Sequence, residues 1–250
     1  MALLFNQAGV TIHQGDALSI LRTLESNSVD ALITDPPYSS GAATLAGKQA
    51  SPAQKYQQSG TKKEYPPMLG DAKDQRSFTL WSTLWLTECW RILQEGAPVL
   101  VFTDWRQLPA VTDAVQAAGF MWRSVVVWHK TSARPLMGEF RRDTEFVVYA
   151  RKGKPQIKSP KCLPGVYKIP VNPEAKVHIT SKPIALIENL MEICPEGGTV
   201  LDPFLGGGTT AIAARNTGRE CVGIELSEAY AQLALQRVQQ HIGHRWPALV

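Results

Sequence analysis

The sequence predicts an α/β fold built on a doubly wound, mostly parallel sheet, and three observations point there. Short, largely apolar runs at residues 29–34, 98–102 and 199–202 read as strands buried on both faces. Stretches with apolar residues at three- and four-residue spacing alternate with them, as crossover helices do. Two of the runs end in abrupt Pro- or Gly-rich turns, at 35–38 and 203–208, the position where open α/β sheets carry their ligands. A chain of 250 residues with 44% hydrophobic residues suits a single domain over 1–250 with a sizeable core.

Taken in order, residues 10–13 form a short strand. Asp16 and Ala17 open a helix with Leu18, Leu21 and Leu24 on one side. The strand at 29–34 stops at Asp35-Pro36-Pro37-Tyr38, because two prolines cannot continue a ladder. Residues 39–77 are rich in Ser, Gly, Ala, Gln and Lys without apolar period; that length marks a mobile loop over a site. From Phe78, a helix runs through Trp81, Leu84, Trp85, Cys89, Ile92 and Leu93 towards Gly96. After the strand at 98–102, Leu108, Val111, Val115 and Ala118 mark a helix closed by Gly119. Strands at 122–128 and 144–150 are joined by a basic loop. Residues 151–177 show no period. Thr180 or Ser181 caps a helix that starts at Lys182-Pro183 and runs to Ile193. A strand at 199–202, a helix at 207–217, a strand at 221–225 and an amphipathic helix at 227–241 follow.

The four cysteines, Cys89, Cys162, Cys194 and Cys221, have no metal-ligand or paired spacing, so neither a zinc site nor a disulfide framework is expected. No signal-like leader and no apolar run of about 18 residues occurs; the expectation is a soluble, cytoplasmic protein that does not engage a membrane and holds no metal. The net charge of +4 is unevenly spread. Residues 121–168 hold eleven lysines and arginines against three acids, a local excess of +8, leaving the rest of the chain at −4. Such a segment suits a polyanion. Lys62, Lys63, Arg134, Arg141, Arg142, Lys158 and Lys161 are the candidate phosphate contacts.

Two turns carry the chemistry. Asp202-Pro203-Phe204-Leu205-Gly206-Gly207-Gly208-Thr209 follows a strand and opens a helix, so backbone and helix N–H groups can approach a ligand closely. The next strand ends in Glu225, 23 residues after Asp202, a spacing that suits a ribose diol and therefore a nucleoside cofactor. A turn that merely packs tightly is the plainer alternative. No GxGxxG and no P-loop lysine is present. At the other turn, Asp35 and the Pro36 carbonyl can accept hydrogen bonds from an exocyclic amine, whose lone pair is otherwise delocalised into its ring. They would favour the pyramidal geometry and the positive charge developing on nitrogen. Pro36 and Pro37 hold the acceptors in place, and Tyr38 offers a ring face for an extruded base.

These motifs, in this order, resemble the β-class of N6-adenine/N4-cytosine DNA methyltransferases, in which Asp-Pro-Pro-Tyr precedes Phe-x-Gly-x-Gly. Gly15-Asp16, Arg91-Ile92-Leu93, Trp128-x-Lys130, Glu145, Lys152-Gly153 and His178-x-Thr180-x-Lys182-Pro183 are similar to further elements of that class. The resemblance implies a Rossmann-like methyltransferase sheet with one antiparallel strand and a circularly permuted motif order, with S-adenosylmethionine as cofactor. It places Asp202, Phe204, Gly206 and Gly208 on the methionine side, Glu225 on the ribose and Asp16 near the adenine. Thr180 and Lys182 close the pocket, and Asp35, Pro203, Thr209 and Leu226 complete the cofactor set. Asp35 in the first position implies adenine N6 in double-stranded DNA, with cytosine N4 or an RNA amine as the alternatives. The interval 151–177, where the class carries its target-recognition region, is short, which implies a short or relaxed target site. A homodimer sharing recognition and a cognate restriction endonuclease are further candidate partners. Trp81 and Trp85 are expected in the core, and Trp105 stands at a strand end where it can line the site.

Overall fold

The computed structural model describes residues 2–39, 73–133, 137–155, 162–171 and 182–243. The elements are β1 (Ala2–Gln7), β2 (Val10–Gln14), α1 (Ala17–Leu21), β3 (Ala31–Thr34), α2 (Gln75–Ile92), β4 (Pro98–Thr103), α3 (Leu108–Ala117) and β5 (Met121–His129). There follow β6 (Thr144–Arg151), β7 (Val166–Lys168), α4 (Ile184–Met191), β8 (Thr199–Asp202), α5 (Thr209–Asn216), β9 (Glu220–Glu225) and α6 (Glu228–Gly243). All nine strands form one sheet in the order β1-β2-β9-β8-β3-β4-β6-β5-β7.

The strands divide their side chains between two cores, as a sheet covered on both faces requires. On one face Ala31, Ile33, Leu100, Phe102 and Val200 pack with Leu186, Ile187, Ile212 and Val238, from α4, α5 and α6. On the other, Leu32, Val99, Val101 and Leu201 pack with Ile20, Phe78, Trp85, Leu86, Val111 and Val115, from α1, α2 and α3. β3 and β4 are buried along their whole length, so they read as continuous apolar runs without alternation.

β2, β9, β8, β3 and β4 run parallel. The anticipated reversed strand is β6, antiparallel to both β4 and β5. β1 is a second reversed strand at the edge, paired with β2. It escapes the sequence pattern because only Phe5 is buried and because its two-residue turn, Ala8-Gly9, lacks the usual Asn-Gly or Asp-Gly signal. β7 likewise emerges from the aperiodic interval 151–177, three residues added parallel to β5. α2 begins earlier than expected, at Gln75, because the Asp74 carboxylate accepts from the Arg76 and Ser77 amides. α4 begins later, at Ile184. The residue before a proline is held extended, and Pro183 itself has ψ 135°, so Lys182 lies outside the helix with its side chain directed to the site.

β8 and β3 are neighbours at the centre of the sheet. From β8 the chain leaves through α5 towards β9 on one face; from β3 it leaves through α2 towards β4 on the other. This reversal of direction opens a crevice at the carboxyl ends of the two strands, and both chemistry-bearing turns stand there.

Candidate active site

The crevice is a single cavity. Asp16, Asp35, Pro37, Lys182, Asp202, Pro203, Phe204, Gly206, Thr209, Glu225 and Leu226 line it, together with Trp81, Phe102, Ile187, Thr210 and Tyr230. Residues 167 positions apart in the chain, Asp35 and Asp202, thus share one wall. Thr34 fastens the two turns: its hydroxyl donates to Asp202 Oδ1 at 2.7 Å, and the Phe204 amide donates to the same oxygen at 3.1 Å. Asp202 is 2% exposed. Burial raises its pKa to about 6, against the pull of hydrogen bonds from Thr210, Thr34 and the Phe204 amide.

The glycine-rich turn is shaped for close approach. Gly206 has φ +53° and nothing within 4 Å of where a Cβ would stand, so its face is open to a ligand. Its amide donates to Glu225 Oε2 at 2.8 Å, and the Ser227 amide donates to Oε1 at 2.8 Å. Burial raises the Glu225 pKa, with those two N–H groups opposing it. Gly208 differs from the expectation. It does not line the cavity; at φ +80° it lies against α6, where a Cβ would meet Ala234 Cβ at 3.0 Å. Its lack of side chain serves helix packing. Asp16 caps α1 through the Ser19 amide at 2.9 Å while lining the cavity.

The Asp35–Tyr38 turn is held by a chain of charges. Tyr38 Oη donates to Asp35 Oδ1 at 2.6 Å, and Lys182 Nζ donates to Asp35 Oδ2 at 2.5 Å. The same ammonium lies 3.3 Å from Glu145 Oε2, off the hydrogen-bonding direction, since that oxygen accepts no hydrogen bond among the described residues. Glu145 Oε1 accepts from Lys130 Nζ at 3.1 Å. Burial alone would lower the Lys182 pKa; Asp35 and then Glu145 outweigh it and hold it above the ordinary value. Burial likewise pushes Glu145 up, but Lys182 and Lys130 bring it below the usual range. Asp35 stays raised, because burial outweighs the pull of Lys182. Tyr38 is raised well above its ordinary value by burial and by Asp35, so its hydroxyl stays protonated and acts as a donor.

Several sequence expectations land elsewhere. Tyr38 and Pro36 border the Asp35 carboxylate without lining the cavity. Trp85 is in the core as expected, and Trp81 packs against that core beside Phe78 and Trp85 while also lining the cavity, its ring 5.3 Å from Phe204; helical spacing alone cannot separate core from pocket on the same helix face. Trp105 is 55% exposed and stands in a second, shallow concavity with Phe140, Arg141 and Arg142. Arg142 pairs there with Glu139 at 2.8 Å. The basic segment contributes less free charge than its composition suggests. Arg151 donates to the Gly96 carbonyl at 2.7 Å. Lys152 is 6% exposed, donating to Asn27 Oδ1 at 2.9 Å and to the Leu93 carbonyl at 2.6 Å. Thr180, Lys62, Lys63, Arg134, Lys158 and Lys161 lie outside the described residues. Glu145 and Lys130 were legible only as family-like strand elements; a lone acid opening an apolar strand is the signal for their pairing. Among the described residues, no group of His, Cys, Asp and Glu could hold a metal ion, and no helix is long and apolar enough to cross a membrane.

The donor set fits a nucleoside cofactor with a cationic centre. It offers an acid at the rim for a diol, buried carboxylates for positive charge, a bare backbone at Gly206, and aromatic walls from Phe204 and Trp81. Comparisons with known proteins agree. Residues 29–236 match the N6/N4 family model described as DNA methylase. The type II methyltransferase M.ScaI of Streptomyces caespitosus is 25% identical over 94% of this chain and 83% of its own length. The type II methyltransferase M.HpaI of Haemophilus parainfluenzae is 26% identical over 89% and 72%. The structure of M1.HpyAVI in complex with SAM superposes with a TM-score of 0.66 at 26% identity, covering 92% of this chain and 98% of that one. The PvuII cytosine-N4-specific DNA methyltransferase reaches a TM-score of 0.71 at 15% identity, over 99% and 90%, a likeness of fold alone. With a family match across most of its length and both family turns facing one crevice, the chain belongs to the N6/N4 DNA methylases.

Proposed function

We propose that this chain transfers a methyl group from S-adenosylmethionine to N6 of an adenine extruded from double-stranded DNA. The observation that carries the proposal is the Asp35 carboxylate, set at the carboxyl end of β3 in the same cavity as Asp202, Gly206 and Glu225. The cofactor, when bound, supplies a methyl group already activated by its sulfonium. Glu225 would take the ribose hydroxyls, and Asp202 would sit towards the methionine side. Asp16 and Leu226 would border the adenine ring. The chain's own task is to make an amine nucleophilic. Asp35 and the Pro36 carbonyl accept the two amine hydrogens and favour a pyramidal nitrogen with its lone pair free. As the nitrogen–carbon bond forms, the methyl–sulfur bond would break with its electron pair left on the sulfur of the departing thioether; the positive charge on N6 then faces a carboxylate already raised in pKa by burial, suited to take up the departing proton before releasing it to solvent. Lys182 keeps that carboxylate oriented, and Tyr38 does the same through its hydroxyl.

Adenine is favoured over cytosine by the aspartate in the first position of the turn. The shortness of the 151–177 interval, part of which is spent on β7, supports a short or relaxed target site. Phosphate contacts position a duplex, whereas base-edge contacts specify it. The deciding experiment incubates the protein with S-adenosylmethionine and unmethylated genomic DNA, then measures nucleosides by mass spectrometry. N6-methyldeoxyadenosine is the expected product. N4-methyldeoxycytidine would overturn the base, and methylation of RNA without methylation of DNA would overturn the substrate.

A further inference from the structure

The connection between β5 and β6 carries side chains that the methyl-transfer chemistry leaves unused. Met137 is 101% exposed and Phe140 97%. The other exposed large apolar side chains, from Trp90 at 40% to Leu80 at 64%, stay partly packed. Two apolar side chains left this exposed on one connection are available to a partner. The place of the loop says which partner. β6 opens at Thr144; the next residue, Glu145, touches Lys182, and Lys182 touches Asp35. The end of the loop therefore stands at the sheet edge that carries Asp35, where Phe140 and Arg141 share a concavity with Trp105, and Arg141 makes no ion pair or hydrogen bond among the described residues.

We propose that Phe140, with Met137 on the same loop, is the wedge that enters the DNA stack at the step vacated by the target base, while Arg141 takes a flanking phosphate. The proposal rests on the extrusion of the base described above. Removing a base from the stack costs unpairing and unstacking and leaves the faces of its neighbours bare. An apolar ring inserted at that step restores part of the lost stacking and holds the duplex open. Such a wedge must stand at the sheet edge that carries the pocket and remain unpacked in the free protein. Phe140 is exposed and shares a concavity with Trp105, which follows β4 at the strand end next to that of Asp35.

The test compares single-turnover methylation of a duplex carrying the mapped target with that of the same duplex bearing an abasic residue opposite the target base. The abasic partner lowers the cost of extrusion without changing the chemistry. The Met137→Ala/Phe140→Ala variant is expected to slow transfer on the paired duplex by roughly 10- to 100-fold. On the abasic duplex it should stay within about threefold of the parent, and Phe140→Trp should retain most activity on both. Because both side chains are exposed, melting temperature and cofactor affinity should not move. An equal loss on the two duplexes, or no loss on the paired one, overturns the wedge. A parent enzyme inactive on every duplex but active on RNA removes the extrusion reading and the wedge with it.

Discussion

Replacing Lys182 by Met separates two roles proposed for that residue, holding the Asp35 carboxylate and closing the cofactor pocket. Met keeps the length and volume of the lysine stem and removes only the charge. The ammonium stands 2.5 Å from Asp35 and 3.3 Å from Glu145, and is itself 6% exposed. At an effective dielectric of about 20, each contact amounts to roughly 5–7 kcal/mol before desolvation. Breaking a buried pair costs about 3–5 kcal/mol net. Protonating an ordinary carboxylate at pH 7.5 costs about as much, roughly 4–5 kcal/mol. Because burial already raises the Asp35 pKa, its protonation costs less than that, and without Lys182 proton uptake becomes the cheaper response. Asp35, already raised by burial and by Glu145, is the group that takes the proton. A protonated Asp35 accepts poorly from the target amine, so single-turnover methyl transfer at pH 7.5 should fall by about 10²- to 10³-fold, the usual effect of losing one preorganised electrostatic contact. The ionised form of Asp35 is the active one and its pKa rises further, so the acid limb of the pH–rate profile moves to higher pH and activity partly returns in alkaline buffer. Cofactor affinity, measured by calorimetry, should change less than tenfold. A loss confined to cofactor affinity, with the acid limb unmoved, refutes the positioning role.

Three further outcomes follow from the geometry. Asp35→Ala should reduce transfer by orders of magnitude while cofactor and DNA binding largely survive; undiminished transfer would remove Asp35 from the mechanism. Asp202 is buried with its pKa raised to about 6, so its ionisation opposes folding above that pH and not below its unfolded pKa near 4. Asp202→Asn should therefore stabilise the cofactor-free protein at pH 7.5, by on the order of 1–3 kcal/mol in urea titration, with no gain at pH 4 and with weaker cofactor binding. Gly208→Ala forces a Cβ to 3.0 Å from Ala234 Cβ at φ +80°. It should cost about 1–3 kcal/mol of stability, read as a lower urea midpoint.

Much of the fold was legible because local chemistry and tertiary environment agree. β3 and β4 are apolar throughout since both sheet faces are covered. Both functional turns announce themselves because proline and glycine are used where the backbone must leave the sheet or admit a ligand. β1 and β7 were not legible: one joins through a turn at Ala8 without the usual residues, the other is three residues long with a single buried side chain. Trp81 was assigned to the core, against which it packs, but its place on the cavity wall was not legible, because periodicity reports a helix face and not all that the face meets.

The sequence by itself determined the family, the order of the two turns and many of the residues around the cavity. These depend on residue types that the backbone and the chemistry require locally. Only the tertiary structure decided that Lys182 binds Asp35 and Glu145, that Gly208 packs under α6, that Lys152 is an internal prop, and that Phe140 stands clear of the protein. Each of these depends on what lies across space from a side chain. Partners 147 residues apart, as Lys182 and Asp35 are, are brought together by the parallel crossovers of the sheet, which leave no mark in the spacing of residues along the chain.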